Sequence, residues 1–193
     1  MSNYSMVPTL ETRRLVLRPI TLSDIPNYQK LFADYDVIRY LDGNVVPWPY
    51  PEDGVATYLA NALPDVEAGK MIKWAICEKE APEIMIGNIT MTPQSEHDHR
   101  GFWLGKPYWG KGYMSEAVAV TTDYAFDVLK LPLLRVSNAV RNTASHQLKV
   151  KAGAVLVKND TEKYYAGGET CISETWELTP EAWRANRHKF FTE

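Results

Sequence analysis

The stretch Gly101–Glu116 constrains this chain more than any other part of its 193 residues. Phe102, Trp103 and Leu104 form a short apolar run that predicts a strand, Gly110 and Gly112 punctuate the turn after it, and a helical pattern opens at Met114–Ser115. A strand, a glycine loop and a helix N-terminus in that order make an anion site. Glycine lets backbone N–H groups approach a phosphate closely, and the helix dipole favours negative charge at that end.

The nucleotide P-loop is the first comparison, because Gly105–Gly112 misses G-x-x-x-x-G-K-[ST] by one residue. The missing residue is the one whose hydroxyl binds magnesium, and Gly112 has none. Pro107 lacks an N–H, and Tyr108 and Trp109 are bulky where backbone should wrap a triphosphate. No apolar strand ending in Asp offers a second metal anchor, so a P-loop phosphotransferase is the weaker reading.

Tyr108-Trp109-Gly110-Lys111-Gly112-Tyr113 resembles the acyl-CoA site of the GCN5-related N-acetyltransferases (the GNAT superfamily). Within it, the segment looks most like the ribosomal-protein N-terminal acetyltransferases of RimJ/RimL type. Met114 stands where the superfamily loop ends in a small residue. A second motif, Arg141-Asn142-Thr143-Ala144-Ser145 followed by Lys151-Ala152-Gly153, is similar to the N-x-x-S…K-x-G-F stretch of the same subgroup, with Ala154 in place of the aromatic and an atypical His146. Together the two motifs carry the resemblance from Leu10 through the final strand.

The hydrophobic pattern predicts strands over Leu15–Pro19, Lys73–Glu78, Ile84–Met91, Gly101–Leu104, Leu134–Val140, Ala154–Lys158 and Cys171–Leu178. It predicts helices over Ile25–Phe32 behind Thr21–Asp24, over Glu52–Leu63, and after the glycine loop, where Ala117, Thr121, Tyr124, Ala125 and Val128 make a buried face. Asn142 caps a short helix that Gly153 ends. The sum is a single α/β (α+β) domain over residues 1–193, with a mixed, mostly antiparallel sheet flanked by helices. The resemblance adds a splayed strand pair that forms the acyl-CoA cleft.

Composition bounds the rest. A net charge of −3 gives nucleic acid no footing, no apolar run is long enough to span a membrane, and Met1–Leu10 carries no signal pattern. Cys77 and Cys171 have no metal spacing and read as reduced core thiols, which fits a cytoplasmic protein. The oligomeric state is open, a homodimer included.

The resemblance implies acetyl-CoA as cosubstrate, no metal, and an amine acceptor attacking the thioester directly in a ternary complex. It implies cofactor contacts from Trp103, Leu104, Trp109, Gly110, Lys111, Gly112, Tyr113, Met114, Ser115, Asn142 and Ser145. The Leu104 backbone would polarise the thioester carbonyl, and the Ser145 hydroxyl would protonate the departing thiolate. Ser145 also reads as a helix-capping residue. For the base, Glu162 matches an acidic position of the subgroup in the loop between the last two strands. Glu174 competes because strand alternation sets it beside Ile172 and Trp176, where an apolar setting raises a carboxyl pKa. His99 and a relayed water complete the candidates. Trp48 and Tyr50, in a proline-rich loop, are candidates for the acceptor pocket. His97-Asp98-His99 looks like a metal cluster but lacks a fourth ligand. The acceptor itself (protein N-terminus, polyamine, aminoglycoside or amino acid) is not readable, and a CoA-binding sensor without turnover is the alternative from another class.

Overall fold

A computed structural model describes residues 7–191; residues 1–6, within the leading Met1–Leu10 segment, lie outside it. Strands β1 (Leu10–Glu11), β2 (Leu15–Pro19), β3 (Ile72–Glu78), β4 (Met85–Met91) and β5 (Arg100–Leu104) pair in that order, each antiparallel to the next. A second antiparallel sheet has the order β6 (Leu134–Ala139), β8 (Thr170–Leu178), β7 (Val155–Tyr164). No ladder joins β5 to β6. They meet where the His99 N–H donates to the Arg135 carbonyl at 2.8 Å and diverge beyond it, which produces the expected splay.

Alternation along β3 divides the first sheet's two faces. Trp74 and Ile76 join Leu15, Leu17, Ile89 and Leu104 beneath helices α4 (Tyr113–Asp123) and α6 (Pro180–Asn186). Ala75 and Cys77 join Trp103 and Met85 beneath helices α1 (Ile25–Phe32) and α3 (Gly54–Glu67). A four-residue helix α2 (Tyr35–Ile38) follows α1, and α5 (Thr143–Ala152) follows β6.

Several expectations need correction. Val128 is 61% exposed rather than buried, because α4 widens into a π turn over Tyr124–Val128 and the helical phase slips. Strand β7 continues to Tyr164 through a polar run, since pairing with β8 outweighs its composition. Glu162 therefore lies in a strand opposite Ile172, not in a loop, and is exposed. Cys77 is buried, whereas Cys171 is only partly so.

Candidate active site

The glycine loop owes its shape to two left-handed residues, Gly110 at φ 74° and Gly112 at φ 78°, a conformation that costs other residues roughly 1–2 kcal/mol. Gly112 is the N-cap of α4, so the first N–H groups of that helix point outward without intrahelical acceptors. Arg14 fixes the loop from behind. Its Nη2 donates to the Lys111 carbonyl at 2.8 Å, its guanidinium lies 4.7 Å from the Tyr113 ring centroid, and its Nε donates to Glu116. Glu116 is buried and also accepts from Thr12 Oγ1 at 2.6 Å. Burial alone would raise this carboxyl, but the bonds from Thr12 and Arg14 carry it below its ordinary pKa.

Above the loop opens a cavity of about 430 Å³ between β5 and the N-terminus of α5. Of the expected cofactor contacts, Trp103, Leu104, Trp109, Gly110, Gly112, Tyr113, Met114, Ser115, Asn142 and Ser145 line it. Lys111 does not line it; its ammonium lies 5.4 Å from the Tyr108 ring centroid.

The backbone of Leu104 is the informative group. Gly105 N–H donates to the Ile86 carbonyl at 2.9 Å, so Gly105 and Ile86 form a hydrogen-bonded pair of the β4–β5 ladder. Hydrogen-bonded and non-bonded pairs alternate, which makes Leu104 and Gly87 a non-bonded pair. The Leu104 N–H and carbonyl therefore point away from β4, toward the open side. Trp109 Nε1 donates to that carbonyl at 2.6 Å, leaving the N–H facing the cleft.

Asn142 caps α5, its side chain accepting from the Ser145 N–H at 3.1 Å. Ser145 is thus not the cap. Its buried hydroxyl accepts from Lys149 Nζ at 2.7 Å. Burial, reinforced by Arg100, pulls Lys149 down to about 7. In the sequence the one signal for this lysine is its i, i+4 spacing from Ser145.

The base candidates fare worse. Glu162 lines neither this cavity nor the one described next. Glu174 is buried but accepts from Asn138 Nδ2 at 2.8 Å and meets His146 Nδ1 at 2.9 Å. Burial would raise its pKa, yet those partners lower it, opposite to the sequence expectation. The His99 Nδ1 accepts from the Arg135 N–H at 2.8 Å, and burial lowers its pKa. Asp98 accepts from Ser137 Oγ at 2.6 Å. Among the described residues no group of three acidic, His or Cys side chains is placed to hold a metal.

On the other face of β5 lies a cavity of about 760 Å³, walled by Tyr28, Phe32, Tyr50, Tyr58 and Trp103 with Lys73, Asn88 and Thr90 from the sheet. Tyr50 lines it; Trp48 does not, and packs edge-on to Tyr35 at 5.3 Å. Leu41, Phe102 and Trp103 line both cavities.

The sheet thus splits beside a glycine-loop helix, with the Leu104 N–H on one side of the gap and the buried Ser145 hydroxyl on the other. Residues 14–155 match the acetyltransferase (GNAT) domain model, and the chain belongs to that family. It is 31% identical over 144 residues to the uncharacterized N-acetyltransferase p20 of Bacillus licheniformis, covering 72% of this chain and 78% of that one. Its fold is shared with Mycobacterium smegmatis RimJ in complex with CoA-disulfide (TM-score 0.75, 15% identity, 95% and 92% coverage). It is shared also with a Vibrio cholerae spermidine N-acetyltransferase in complex with CoA and spermine (TM-score 0.72, 16% identity, 94% and 100% coverage).

Proposed function

We propose that the chain transfers an acetyl group from acetyl-CoA to a primary amine by direct attack, the two reactants meeting across β5. The observation that carries this reading is the Leu104 N–H, which faces a cleft bounded by the glycine loop on one side and Ser145 on the other. The N-terminal turn of α4 suits the coenzyme's diphosphate, and Arg14 and Glu116 hold that turn in place. Acetyl-CoA supplies the activated thioester.

The Leu104 N–H donates to the thioester oxygen as negative charge develops there, and is aimed before the reaction begins. The Ser145 hydroxyl donates its proton to the leaving sulfur, and Lys149 holds that hydroxyl in place. The acceptor enters from the larger cavity, past Tyr50 and Trp103. With Glu174 committed to His146 and His99 to Arg135, the amine's proton leaves through water in that open cavity. Holding both reactants adjacent contributes much of the acceleration, with effective molarity worth about 7–11 kcal/mol.

Thiol release from acetyl-CoA, measured across a panel of amines and peptides with mass detection of the acetylated product, tests the reading. Amine-dependent release supports it. CoA binding with no release for any acceptor would instead favour the sensor reading.

A further inference from the structure

The wall of the larger cavity holds a buried lysine that, among the described residues, pairs with no carboxylate. Lys73 is 1% exposed, and its Nζ donates to three neutral oxygens: Tyr58 Oη at 3.0 Å, Asn88 Oδ1 at 2.9 Å and Thr90 Oγ1 at 3.0 Å. Among the described residues no carboxylate forms an ion pair with it. An uncompensated buried charge is expensive, and burial accordingly pulls Lys73 down to about 7. The core could have been completed more cheaply by an apolar residue, as it is at Ala75 and Cys77 on the same face.

The hydroxyl of Tyr58 carries the charge toward the ligand space. Its oxygen accepts from Lys73, which leaves its own proton to donate, and no protein oxygen takes that proton among the described residues. A phenol polarised by an ammonium is a strengthened donor, aimed from a cavity wall that also holds the ammonium. Asp42 and Asp53 also line this cavity, but they belong to the segment before α3 rather than to the sheet. The cavity thus presents a cationic sheet side and an acidic loop side.

We infer that the acceptor is a small amine that also bears a carboxylate, and that Tyr58 and Lys73 receive that carboxylate while the amine is presented to the thioester at Leu104. The assignment rests on the acetyl-transfer reading and names the acceptor class within it. A carboxylate accepting the Tyr58 proton brings the missing negative charge to Lys73, and the acidic loop side matches the incoming ammonium. A polyamine offers nothing to the sheet side. A volume of about 760 Å³ accommodates an amino acid or short peptide whole.

The test uses matched pairs: phenylalanine and phenethylamine, lysine and cadaverine, leucine and 3-methylbutylamine, each with the full-length protein and acetyl-CoA. Losing a charge-assisted hydrogen bond should lower kcat/KM about 10- to 100-fold for the member lacking the α-carboxylate. Tyr58→Phe and Lys73→Met should bring the two members of a pair together by slowing the α-carboxylate-bearing member alone. Calorimetry with the same six compounds on the CoA-bound protein reads binding separately from turnover. Binding of the α-carboxylate members that Tyr58→Phe weakens, without product, would retain the site and overturn the transfer reading. Equal kcat/KM within pairs, preference for cadaverine, a pair ratio unaltered by folded Tyr58→Phe, or neither binding nor turnover of any α-carboxylate member would overturn the assignment.

Discussion

Lys149 Nζ donates to Ser145 Oγ at 2.7 Å from one helical turn further along α5, and both side chains are buried. A hydroxyl has one proton and two lone pairs. With one lone pair taken by the ammonium, the Ser145 proton is free to turn toward the cleft that the residue lines.

That contact makes Ser145→Ala a test of chemistry rather than of helix capping, because Asn142 is the cap. We expect kcat to fall about 10²-fold, the lower range for a positioned acid, with KM for acetyl-CoA nearly unchanged. Lys149→Met should lower kcat less and alter its pH dependence. Lys149 loses its charge as pH rises through about 7, so wild-type kcat should show a declining limb there that the variant lacks. Steady-state rates at saturating acceptor from pH 6 to 9 check both.

Two buried lysines give the fold an unusual stability profile. Lys73 and Lys149 are both pulled down to about 7 from an unfolded value near 10.5. Between those values the unfolded chain binds protons that the native chain does not, so these groups make stability rise with pH over that window. Each contributes up to about 1.4 kcal/mol per pH unit there. Above about 10 the effect is opposed by Tyr50, whose phenol is pushed up to about 12 and is therefore destabilised relative to its unfolded form as pH climbs. Denaturant midpoints at pH 7 and pH 9 should show the increase, and Lys73→Met should flatten it.

Gly112→Val should weaken CoA binding at least about 10-fold in a protein that still folds. The left-handed backbone resists any side chain by roughly 1–2 kcal/mol, and a Cβ there would sit 3.3 Å from Arg14 Nη2. Both effects displace the turn that faces the diphosphate. Calorimetry with CoA beside a melting curve separates the loss of binding from loss of fold.

Glu116→Ala should lower stability by about 2–3 kcal/mol, somewhat below the 3–5 kcal/mol of a fully buried pair. The discount follows from the Arg14 side chain, which is 37% exposed and keeps part of its hydration. Because Arg14 also holds the Lys111 carbonyl, KM for acetyl-CoA should rise in the same variant. Thermal melts and saturation curves in acetyl-CoA measure the two effects.

Much of the architecture was legible because local signals and tertiary packing agree. Strand β2, helix α1 and the α5 caps at Asn142 and Gly153 fall where alternation and capping chemistry set them. Helix α6 was missed although Thr179 and Pro180 form an N-cap and first-turn pair ahead of it. The glycine loop and the Asn142–Ser145 turn were legible as motifs; the strand carrying Glu162 was not, because it is specified by β8 rather than by its own polar residues. Lys73 and Lys149 were illegible for a different reason. A lysine in sequence defaults to solvent, and only the assembled fold shows two of them sealed inside.

The donor at Leu104 has a genetic consequence. A group carried by the main chain survives every substitution that keeps the strand, since all residues but one bring the same N–H. Drift at position 104 therefore leaves the proposed oxyanion donor in place, and only proline removes it outright. The polar partners across the gap have no such protection, because Ser145 and Lys149 act through side chains that a single codon change can delete. On the mechanism proposed here, half of the site is inherited with the fold, and the other half has to be maintained by selection.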